Sequence, residues 1–167
     1  MPSVTRATGA AGCRPTDAHT NAMRSGYLAI ETHTQRPGLV RFVLCDELPD
    51  PDPTGHGERR WRYIAGFNDS EAALMHTHDL LKRRLLDPDA HMYRASPERT
   101  IAAVESLDLK HRRIYLDANF DGQSQATIRA LTDKYIGRRR AWATFFQTLG
   151  YIGIGLLLLN LFTFSIR

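Results

Sequence analysis

Lysine is scarce in this chain. Lys82, Lys110 and Lys134 stand against 19 arginines, so nearly all its positive charge sits on guanidinium groups, which stay protonated in proteins. Cysteine is scarcer still. Cys13 and Cys45 are the only two, and neither belongs to a C-x-x-C pair or a zinc-type spacing. That excludes a zinc ribbon and a thioredoxin-like redox motif, makes a disulfide framework unexpected, and suits a reducing compartment. The sequence also has no P-loop, no G-x-G-x-x-G and no G-x-S-x-G. It therefore lacks the local signatures of a phosphate cradle, a dinucleotide fold and a nucleophile elbow. Acids such as Asp46, Glu47, Asp69 and Asp117 are scattered, and no spacing nominates a general acid–base pair. No enzymatic activity, cofactor or metal is expected on these grounds.

The first 25 residues contain no apolar run, so they do not read as a secretory signal. They are small and polar, interrupted by Gly and Pro, with Asp17 the only acid, and they read as a disordered arm. Their composition is compatible with a mitochondrial presequence, although Pro2 and Pro15 break an amphipathic helix.

The remainder is organised. Residues 26–137 are expected to form one α+β domain, a small antiparallel sheet with helices on one face, in the order β-β-β-α-α-β-α. Leu28, Ile30 and Thr32 alternate on one strand and Val40, Phe42 and Leu44 on the next, with a turn at Pro37-Gly38 between them. Pro49 to Glu58 carries three prolines and cannot be a regular element. Trp61, Tyr63, Ala65 and Phe67 then alternate against Arg60, Arg62 and Ile64, the pattern of a half-buried strand. A helix follows, capped by Asn68 or Asp69, with Leu74, His78, Leu81 and Leu85 on one face. Residues 86–95 read as an interruption. Ser96, Pro97 and Glu98 open a second helix whose apolar face is Ile101, Val104 and Leu107. A fourth strand spans 112–120, and a third helix from about Ser124 carries Ile128, Leu131, Tyr135 and Ile136.

Three short patterns suggest chemistry, and each has a plainer explanation. Asp117 to Gly122 matches the opening of a calcium loop, but the position that should carry a bidentate glutamate is Ile128. His76 and His78 are two apart on a helix, which points their rings to different sides, so a packed His78 and a solvent-facing His76 are expected. Trp61, Tyr63 and Phe67 lie among arginines, as in single-strand binders, yet the alternation suits a core-facing row, and no nucleic-acid partner is expected.

The most informative stretch is the last. From Ala141 to Ile166 there are 26 residues without a charge. As a helix they extend roughly 39 Å, more than a hydrocarbon core of about 30 Å. Residues 138–167 are accordingly expected to be a basic flank and a single transmembrane helix. Arg138, Arg139 and Arg140, with Trp142, fall where interfacial anchors belong, facing anionic lipid headgroups. Only Arg167 lies beyond the run. The positive-inside rule then puts the domain on the cytoplasmic face of a bacterial inner membrane, or the matrix face of a mitochondrial one. Phe146, Gly150, Gly153, Leu157 and Asn160 share one sector of the helix. Small residues there let a neighbouring helix approach, and an amide in hydrocarbon favours a partner.

These features suggest a non-catalytic accessory subunit of a multi-subunit membrane complex of respiratory, photosynthetic or transport type, in contact with other transmembrane subunits. The alternative is a tail-anchored cytosolic adaptor or regulatory binding protein. A membrane-bound enzyme with a site assembled from scattered residues ranks third.

Overall fold

The hairpin at the start of the domain forms as the alternation requires. In the computed structural model, which describes residues 25–50 and 58–165 and side chains as far as Leu161, β1 (Gly26–His33) and β2 (Leu39–Cys45) pair antiparallel. Ile30 lies opposite Phe42 and Leu28 opposite Leu44, so the apolar sets of both strands share a face. Gly38 closes the turn at φ +86°, a left-handed conformation that an L side chain would strain. The expected arm (residues 1–25) and proline-rich loop lie almost wholly outside the described residues.

β3 (Arg59–Phe67) pairs with the other side of β1, and here strict alternation fails. Tyr63 lies opposite Ile30 but Trp61 lies opposite Glu31, with a bulge between the pairs. Opposed residues share a face and successive residues alternate, so Trp61 leaves the row it was expected to share with Tyr63, Ala65 and Phe67. The extra residue, Arg62, turns its side chain towards Thr32 and Asp117.

Helix α1 (Ser70–Leu81) is capped by Asp69, whose carboxylate accepts from the Ala72 N–H at 2.9 Å. It ends earlier than the periodicity suggested. Lys82–Arg84 form a single 3-10 turn, and Leu85 opens a strand instead of extending the helical face. The stretch read as an interruption is a small hairpin, β4 (Leu85–Asp87) and β5 (Met92–Arg94), whose turn is tied by the Asp87 carboxylate accepting from the Asp89 and Ala90 N–H groups. Strands of three residues leave no readable period. β5 is held by pairing with β2, Tyr93 opposite Val40.

Helix α2 (Pro97–Glu105) begins as its sequence indicates, with Ser96 capping at the Arg99 N–H. Strand β6 (His111–Leu116) pairs with β3, and helix α3 (Gly122–Ser165) is the last described element. The observed order is thus β-β-β-α-β-β-α-β-α. The antiparallel sheet runs β4-β5-β2-β1-β3-β6, with the helices packed on one face, an α+β architecture. Leu28, Ile30, Phe42 and Tyr63 from the sheet meet Leu81, Ile101 and Val104 from α1 and α2, all of them buried. Ile128, with Leu131 and Tyr135 beside it, brings the first turns of α3 onto the same core.

One expectation about cysteine is overturned. Cys45, on the sheet face opposite the helices, is buried and disulfide-bonded, not a free thiol. Cys13, the chain's only other cysteine, lies outside the described residues. Whether a cysteine is bonded is a tertiary matter that spacing along the chain does not announce.

Candidate membrane-facing site

Helix α3 starts where the Asp121 carboxylate accepts from the Ser124 N–H at 2.7 Å, which also draws that carboxyl below its usual pKa. Its first turns lie against α2. The last tie to the domain is Arg139, whose guanidinium donates to the Ser106 carbonyl at 3.2 Å and faces Asp108 at 3.8 Å. The helix continues through residues 137–138 without a break, so domain and apolar segment share one backbone rod of 44 residues, about 66 Å at helical rise.

Beyond Ile136 every side chain to Leu161 is exposed. None of this apolar stretch is buried against the domain. A core helix of a soluble fold would be covered, and this one is not. It is long and apolar enough to be a single membrane span. Its polar side chains are largely satisfied within the helix: the Thr144 and Thr148 hydroxyls donate to the carbonyls four residues back, and Gln147 donates to the Tyr151 hydroxyl.

At its domain-proximal end, Arg138, Arg139 and Arg140 form an exposed collar, and Trp142 follows as the first of three touching aromatic rings. Trp142 stacks on Phe146 with centroids 5.7 Å apart and meets Phe145 edge-on at 6.0 Å. Phe146, Gly150, Gly153, Leu157 and Asn160 are all exposed on the continuous helix. A Cβ built on Gly150 or Gly153 meets nothing within 4 Å, so the domain does not cover that sector. Between the collar and the ends of α1 and α2 lies a cleft of about 720 Å³ that includes Lys82, Arg83, Arg138, Arg139 and Trp142 in its wall. No local motif marks it, because its residues come from three separate elements.

The patterns that suggested other chemistry are absorbed by the fold. Asp117, first residue of the stretch that partly matches a calcium loop, is buried and gripped by two arginines: Arg62 at 2.6 Å and Arg60 at 2.9 Å. Burial alone would raise its pKa, but N–H donation from Asn119, backbone and side chain, then Arg62 and Arg60, holds it below the usual carboxylate range. Its oxygens are thus taken by cations and amides. His78 is half-buried, with Nδ1 3.0 Å from the Tyr93 hydroxyl, and His76 is exposed. Among the described residues no three His, Cys, Asp or Glu side chains converge as a metal site. Of the aromatic row, Tyr63 and Phe67 are buried in the core, whereas Trp61 lies outside it.

A second ionic cluster went unread in the sequence. Glu105, at the end of α2, accepts from the Tyr63 hydroxyl and from Arg113 Nε, each at 2.8 Å, and lies 3.6 Å from His111. Burial, followed by the Glu105 charge and hydrogen bond, pushes the Tyr63 phenol far above its ordinary pKa. The cluster pins α2 to β3 and β6, and only the pairing of those strands brings it together.

No family model, no curated protein and no solved structure matches this chain.

Proposed function

We propose that this chain is a non-catalytic accessory subunit of a multi-subunit membrane complex, single-pass, with its α+β domain on the cytoplasmic or matrix face. One observation carries the reading. The apolar half of α3 emerges from the domain as an unbroken helix, exposed all round, with Gly150 and Gly153 together on one side. A helix that merely tethers needs apolar length. A sector of small residues is what a neighbouring helix packs against in lipid.

Sidedness rests on charge. Lys134 and Arg138 to Arg140 flank the apolar run on the domain side. The bonded state of Cys45 argues for an oxidising compartment instead. The arginines set the side, because charge bias acts at the moment of insertion.

The reading is tested by extraction in mild detergent and native electrophoresis. The expected result is co-migration with other membrane proteins at a mass well above that of the chain. Replacement of residues 141–166 by polyleucine should abolish that co-migration while the protein still fractionates with membranes. Migration alone in every detergent, or full function with the polyleucine span, would favour the tethered adaptor. Protease protection in oriented vesicles reports the side on which the domain lies.

A further inference from the structure

We infer that the cleft between α1, α2 and α3 is a binding site for one phosphate-bearing lipid headgroup. The inference rests on the reading of α3 as a membrane span, and not on membership of a complex.

The cleft has a volume of about 720 Å³, within the usual range for small-molecule sites. Its charge is asymmetric. Four cations, Lys82, Arg83, Arg138 and Arg139, line it against two carboxylates, Asp79 and Asp108. Each carboxylate already faces a cation: Lys82 bonds to Asp79 at 2.9 Å, and Arg139 lies 3.8 Å from Asp108. Arg83 and Arg138 have no ion pair among the described residues. Two uncommitted guanidiniums in one cleft, on two different elements, form a fork suited to phosphate oxygens.

The position selects the source of that phosphate. The cleft is walled by Trp142, at the start of the 26-residue uncharged run, so it opens where headgroups lie if the run spans. Leu80, Leu107 and Tyr135 provide an apolar wall beside the cations. That combination matches a headgroup with its glycerol and the first methylenes of its acyl chains, more than a free inorganic anion. Because Arg139 also holds the Ser106 carbonyl, an occupied cleft would fix the angle between domain and span.

The test uses the full chain in phosphatidylcholine nanodiscs doped with phosphatidylglycerol, with retained lipid counted by native mass spectrometry. The wild type should keep one phosphatidylglycerol after detergent release. Arg83→Ala with Arg138→Ala should lower retention by about tenfold or more, given the worth of two cations at an anionic surface. Arg36→Ala with Arg94→Ala removes the same charge elsewhere and should leave retention unchanged. Circular dichroism monitors folding of both variants. Equal retention in wild type and both variants would overturn the site. So would displacement of the lipid by millimolar inorganic phosphate, which would make it a site for a soluble anion. Flotation of the protein with liposomes is measured in parallel: failure to float would remove the span reading and this inference together, whereas flotation without selective retention would remove this inference alone.

Discussion

Arg139 on α3 donates to the backbone carbonyl of Ser106 at the end of α2, 3.2 Å away. The bond joins the last domain-facing turn of the long helix to a carbonyl that α2 leaves without an intrahelical donor. Removing it should loosen the rod where it leaves the domain. Arg139→Ala is expected to cost about 1 kcal/mol or less, since the side chain is half exposed. Hydrogen exchange should rise locally around Ser106 to Leu109. Unchanged exchange there would show that the rod is held by the Ile128, Leu131 and Tyr135 contacts alone.

Asp117 predicts an acid-sensitive fold. Its carboxyl is held below the usual range, so the stability it contributes is present above the unfolded-state pKa of about 4 and is lost as pH falls through the folded value. The melting temperature of the full chain in detergent should begin to fall below about pH 5 and go on falling as the pH drops through the folded value. Asp117→Asn should cost about 3 kcal/mol at neutral pH by leaving Arg60 and Arg62 without their carboxylate, and should flatten that acid limb. A variant as stable as the wild type would show that solvent replaces the pairing.

Tyr63→Phe isolates one hydrogen bond. The ring stays in the core and only the hydroxyl donated to Glu105 is lost. Glu105 retains Arg113, so a cost of about 1 kcal/mol is expected in chemical denaturation. A loss above about 3 kcal/mol would mean that the whole Glu105 cluster collapses with it.

Gly150→Leu with Gly153→Leu fills the bare sector of the apolar helix without changing its polarity. Flotation with membranes should be unaffected, because apolar length is preserved. Co-migration with larger assemblies should be lost. Retained co-migration would place the contact on another face of the helix.

The local chemistry of this chain was legible residue by residue. The cap at Ser96, the left-handed turn at Gly38 and the uncharged run from Ala141 each depend on neighbours within a few positions, and each stands in the structure where the sequence put it. The Trp61 reading failed because a bulge depends on how β1 pairs with β3, which no alternation within one strand records. The β4–β5 hairpin has no readable period, because strands of three residues exist only through pairing, β4 with β5 and β5 with β2.

Sequence alone determined that the chain carries a segment able to cross a membrane, which side of it carries the basic cluster, and that an antiparallel α+β domain precedes it. These follow from composition and period, and need no partner to be expressed. Tertiary structure alone decided that α3 is a single rod running from core to apolar end, that Asp117 serves two arginines, and that four cations from α1's end and α3 enclose one cleft. The reason is distance along the chain: Arg83 and Arg138 are 55 positions apart, and only packing brings them to one site.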